Sequence, residues 1–197
     1  MYRQARIGPF AVPYLIEYLR TREDEVARTN ASVLLVHLGP QVVVPLTEAL
    51  RADEDVLRQH LCDVLRQVRP ADPRALPQLK RIFDNKENLP TVRLFAEKAL
   101  ETIADAPARS LPPASKYMYR EANRVYLGGP LVDEEMMDLG RAFWVWDAEA
   151  QKGDGFLKHL QVPLFVLDDM TTQELPYQGI ALTEAEAQPK TFQLLLA

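Results

Sequence analysis

Residues 39–50 read GPQVVVPLTEAL, and after the acidic turn Asp53-Glu54-Asp55 residues 57–68 read LRQHLCDVLRQV. The second string places apolar residues three, six, seven and ten positions after Arg58, at Leu61, Val64, Leu65 and Val68, with Leu57 just before it. That is the i, i+4, i+7, i+8, i+11 stripe of an amphipathic helix. The first string carries its own stripe at Val43, Leu46, Thr47 and Leu50. Pro45 falls in its opening turn, where the helix does not need the missing N–H. Gly39-Pro40 ends the helix before it, because Gly tolerates the left-handed conformation and Pro cannot continue the ladder.

The pattern spreads outward from there. Arg28 is followed by Ala31, Leu34, Leu35 and Leu38, and Arg93 by Ala96, Ala99, Leu100 and Ile103, with Ala27 and Val92 in the preceding positions. The three arginines stand thirty and thirty-five residues apart. A shorter striped helix precedes each of the outer two: Val12, Leu15, Ile16 and Leu19 with Pro13, then Leu76, Leu79, Lys80 and Phe83 with Pro77. Lys80 in a striped position predicts a rim site where the stem is covered and the ammonium stays wet. Gly8-Pro9 and, less sharply, Arg69-Pro70 punctuate the other joints. The acidic runs Glu23-Asp24-Glu25 and Asp53-Glu54-Asp55 precede the second helices, where carboxylates favour the positive end of the helix dipole. They lack the Gly-centred spacing of a calcium loop. A stripe cannot bury itself alone, so repetition at this spacing predicts a mainly α fold, an α-solenoid of stacked helix pairs.

GPFAVPYLIEYL with ARTNASVLLVHLG, GPQVVVPLTEAL with LRQHLCDVLRQV, and RALPQLKRIF with VRLFAEKALETIAD together resemble short bacterial HEAT repeats of the lyase type over residues 7–105. The third unit carries an insertion around Asn85 to Pro90. The resemblance implies a structural role for Arg28, Arg58 and Arg93, each bonding an acidic residue of a neighbouring unit. It also implies that the second helices line the concave side. The stripe one, four, five and eight positions after each Arg then becomes the candidate binding surface: Thr29, Ser32, Val33 and Val36; Gln59, Cys62, Asp63 and Arg66; Leu94, Glu97, Lys98 and Glu101.

Beyond residue 105 the pattern changes. Pro107, Pro112 and Pro113 predict a Pro-rich linker over 106–114. Residues 115–197 then form a smaller α/β region: a helix capped by Ser115 and ending at Leu127, a β-hairpin over about 142–162, and C-terminal helices from Pro163. The stretch AFWVW at 142–146 is aromatic, β-branched and too short for a helix. It would place Phe143 and Val145 on one face and Trp144 and Trp146 on the other. A ribbon apolar on both faces cannot stand alone in water, so it is either covered by helices or presents its tryptophans as an exposed hot spot. Ile7-Gly8-Pro9 reads as the end of a unit, and TFQLLLA at 191–197 stops without a C-cap, which predicts a piece of a longer repeat protein.

The chain holds 197 residues, 47% apolar and 26% charged, the range of soluble globular proteins. No apolar run approaches the roughly 20 residues of a membrane helix by this reading, and no secretory signal opens the chain, so the expected address is cytoplasmic. Cys62 is the single cysteine. The net charge of −5 falls wholly after residue 105, and residues 1–105 balance at fifteen of each sign. No basic patch is available to release counterions from nucleic acid or anionic lipid. His37, His60 and His159 are scattered, each followed by Leu, without H-E-x-x-H or Cys-x-x-Cys spacing for a metal. Nucleophile elbows, phosphate loops and dinucleotide fingerprints are missing too. The expectation is a non-catalytic protein-binding or scaffold module without cofactor or metal, its partner a protein or extended peptide. The alternatives are an accessory or chaperone of an enzyme system, as in lyase-type HEAT proteins, and a structural spacer.

Overall fold

A computed structural model describes residues 8–20, 24–126, 142–147 and 156–161, together with Met170, Glu174 and Gln178. Apart from those three residues, the helices expected from Pro163 onward and the run 191–197 lie outside the described residues. What is described is mainly helical, with one small two-stranded antiparallel sheet. The helices are α1 (Val12–Arg20), α2 (Glu25–Leu38), α3 (Val43–Ala49), α4 (Asp55–Gln67), α5 (Leu76–Asp84), α6 (Pro90–Ala104) and α7 (Ala114–Tyr126). The sheet pairs β1 (Ala142–Trp146) with β2 (Leu157–Gln161). Two compact units result: Met1–Leu111 with Trp144–His159, and Pro112–Phe143 with Leu160–Ala197.

Local chemistry sets the helix ends. Asp24 caps α2 by accepting from the Ala27 N–H at 2.8 Å, and Glu25 follows in the first turn. Gly39 closes the same helix at φ 71°, a conformation a side chain would strain. The stretch Glu25–Ala49 is in fact long and apolar enough by composition to cross a membrane, correcting the expectation above. It is interrupted at Gly39-Pro40 by a 3-10 turn and buries Ala31, Leu35, Val42, Val43, Leu46 and Ala49.

Within the first unit α1 pairs with α2, α3 with α4 and α5 with α6, and α4 also packs against α2 and α6. This central position encloses α4: Leu57, Leu61, Cys62, Val64 and Leu65 are all buried. Helix α6 buries Val92, Ala96, Ala99 and Leu100, its small residues permitting close approach to α4. Helix α2 departs from the pattern. It buries only Ala31 and Leu35, whereas Leu34, striped by sequence, is 53% exposed beside exposed Val26 and Val33.

Two other expectations are corrected. Lys80 is buried rather than wet at its tip: its Nζ binds Asp84 Oδ1 at 2.5 Å and lies 5.0 Å from the Phe83 ring centre. Ser115 does not cap α7, which begins one residue earlier. Residues 106–114 include a 3-10 turn at Ala108–Ser110, and Ala108 is buried, its N–H donating to Glu101 Oε1 at 3.4 Å.

The segment Trp144–His159 groups with the first unit through aromatic side chains. Trp144 and Trp146 are both 6% exposed, which removes the exposed hot-spot reading. Phe10 lies 6.1 Å from Trp144 and 4.8 Å from His159 between ring centres. Trp146 packs on Phe156 at 4.8 Å, and the Arg20 guanidinium sits 4.7 Å over the Phe156 ring. Arg20 then reaches Glu54 through Nε at 3.0 Å and Nη2 at 2.5 Å. One side chain of α1 thereby joins the hairpin segment to the turn before α4.

Candidate functional site

The residues that α2 and α4 turn toward each other enclose a cleft of about 480 Å³. Helix α2 contributes Glu25, Arg28, Thr29, Ser32, Val33, Val36 and His37, and α4 contributes His60, Asp63 and Gln67. Two valines supply an apolar wall. Hydroxyl, amide, imidazole and carboxylate groups surround it, the composition that can hold a peptide backbone and an apolar side chain together.

The polar groups are partly tied to one another. Asp63 Oδ1 accepts from Arg66 Nη2 at 2.7 Å, and Asp63 Oδ2 from Gln67 Nε2 at 2.8 Å. His37 donates through Nδ1 to the Val33 carbonyl at 2.9 Å, leaving Nε2 at the cleft. Burial lowers the pKa of His60, and nearby Arg28 lowers it further against the opposing pull of Asp63. The His60 ring is therefore uncharged near pH 7 and serves as a neutral donor and acceptor.

Of the surface expected from sequence, Thr29, Ser32, Val33, Val36 and Asp63 line the cleft, with Arg28 beside them. The others are placed elsewhere. Gln59 Nε2 donates to Thr91 Oγ1 of α6 at 3.3 Å. Arg66 is spent on Asp63, Lys98 Nζ lies 5.9 Å from the Phe95 ring centre, and Glu101 holds the Ala108 N–H. Glu97 is half-buried on α6 and has no place in the cleft. Cys62 is fully buried, correcting its place in the exposed stripe.

Glu25, His37, His60 and Gln67 were missed for a geometric reason. The cleft takes positions one, four, five, eight and nine after Arg28, but two, five and nine after Arg58. A groove between neighbouring helices is lined by opposite flanks of the two, so one offset cannot describe both. Helix α4 turns its remaining flank to α6.

Arg58 and Arg93 also behave differently from the expectation. Arg58 Nη2 meets Asp53 at 3.3 Å within its own turn, and Nη1 reaches across to Asn88 Oδ1 at 3.1 Å. Arg93 donates from Nε to the Phe83 carbonyl at 3.0 Å instead of to a carboxylate. Arg20 does make a bond to an acidic turn of the next helix pair, at Glu54.

Burial pushes the Cys62 thiol up to about 12, with Asp63 adding to the effect and Arg58 opposing it. We expect no modification of Cys62 by iodoacetamide at pH 8 in the folded protein and full modification in urea, read by intact mass. Labelling in native buffer at the rate of a free thiol would contradict its burial. Among the described residues no group of three His, Cys, Asp or Glu side chains is placed to hold a metal ion. Comparison with known proteins finds no matching family, no matching curated protein and no matching solved structure.

Proposed function

We propose that residues 8–111 form a short array of HEAT-like helix pairs whose second helices bind a protein segment, without catalysis, in the cleft between α2 and α4. The supporting observation is that Thr29, Ser32, Val33 and Val36 of α2, at the expected offsets from Arg28, line that cleft together with Asp63 of α4. The packing order is consistent with this reading, since α4 contacts both α2 and α6 as successive second helices of an array do. An extended peptide would lay an apolar side chain against Val33 and Val36. Its backbone amides would meet Ser32, His60 and Asp63.

The reading is tested with a random peptide library panned on the whole chain. Val36→Trp fills the cleft, and exposed Glu87→Lys serves as a control away from it. Selected peptides are expected to lose at least about ten-fold in affinity on Val36→Trp, roughly 1.4 kcal/mol, and to be indifferent to Glu87→Lys. Peptides that bind Val36→Trp as well as the parent chain would place recognition elsewhere and sink the proposal.

A further inference from the structure

Helix α2 presents different surfaces on its two flanks. One lines the cleft, while Val26, Asn30 and Leu34 stand at i, i+4 and i+8 outside that lining. This spacing makes one continuous ridge along the helix. Val26 is 70% exposed, Leu34 is 53% exposed, and Asn30 is exposed between them. Glu25, Arg28 and His37 of α2 all line the cleft, so the ridge carries no charge.

The corresponding positions on the other second helices are turned to a helix. Two before, two after and six after Arg58 they are Val56, His60 and Val64. His60 lines the cleft against α2, and Val64 is 1% exposed. Around Arg93 they are Thr91, Phe95 and Ala99. Thr91 Oγ1 accepts from Gln59 of α4 at 3.3 Å, and Ala99 is fully buried. This flank is therefore the one by which α4 meets α2 and α6 meets α4. On α2 the same flank is open to solvent.

We propose that the ridge of Val26, Asn30 and Leu34 is a contact face for a second copy of this chain, α2 packing on α2 across a two-fold axis. A two-fold contact brings identical surfaces together. A charged ridge would meet its own charge there, and this one is neutral. Asn30, midway along it, falls near the axis, where its amide both donates to and accepts from its copy. Each Leu34 then meets Val26 of the other copy. The face lies outside the α2–α4 cleft and is independent of what that cleft binds. Three residues give less than the roughly 800 Å² per partner of a tight complex, so the expected Kd is on the order of 10–100 µM.

The test is sedimentation equilibrium of the full chain, from about ten-fold below to about ten-fold above that Kd. We expect a reversible monomer–dimer equilibrium. It is weakened at least about ten-fold by Asn30→Asp, which sets like charges together at the axis, and by Leu34→Glu. Both side chains are exposed, so the variants keep the fold of the parent chain. Leu94→Glu, at a leucine of α6 that is 46% exposed, is expected to dimerise like the parent. A parent chain that stays monomeric throughout, or a dimer unchanged by Asn30→Asp or by Leu34→Glu, overturns the assignment. Assembly beyond the dimer, or its loss in Leu94→Glu, overturns it too, since copies would then stack head to tail.

Discussion

Phe156→Ala is expected to destabilise the first unit by about 3–5 kcal/mol. Phe156 is 1% exposed, and its ring is covered by Trp146 on one side and the Arg20 guanidinium on another. Truncation opens a cavity the size of a benzene ring and removes the cation–π contact that orients Arg20 toward Glu54. Phe156→Leu refills most of that volume and is expected to cost much less. Urea unfolding followed by circular dichroism and by tryptophan emission measures both, since Trp144 and Trp146 belong to the affected cluster. A loss under about 1 kcal/mol for Phe156→Ala would show that the hairpin segment is not packed on the first unit.

Leu61→Ala is the second large effect, expected to cost about 2–5 kcal/mol. Leu61 is fully buried on the helix that touches both other second helices, so little of its surroundings can collapse into the space. The chemically identical Leu34→Ala, on a side chain 53% exposed, is expected to change stability by about 0.5 kcal/mol or less. Paired urea curves for the two variants provide the comparison. Similar midpoints for both would mean that α2 packs as sequence periodicity alone predicts.

That pair shows how far the sequence could be read. Leu34 stands six residues after Arg28, as Val64 does after Arg58, and periodicity makes the two equivalent. Val64 is 1% exposed and Leu34 is half in solvent because the helices around them differ. The candidate site divides the same way. The α2 side of the cleft was legible from Arg28 outward, at Thr29, Ser32, Val33 and Val36. On α4 only Asp63 was, since a helix packed on two sides turns a shifted set of positions to each neighbour. His60 and Gln67 carry no local signal of facing α2.

Sequence alone determined where the helices of residues 8–105 run, that each first helix starts near a proline, that Gly39 breaks the chain between α2 and α3, and that AFWVW forms a strand. These are local properties: a stripe, a cap or a missing N–H acts within a few residues of itself. Tertiary structure alone decided which apolar stripes are covered, that Lys80 is buried with Asp84, and that both tryptophans are covered. It also decided that α2 and α4 enclose a cleft. Each of these depends on which distant element arrives as a neighbour, as when Arg20 meets Glu54 and Phe156. Burial and electrostatic environment are sums over such neighbours, and the order of residues along one helix does not contain them.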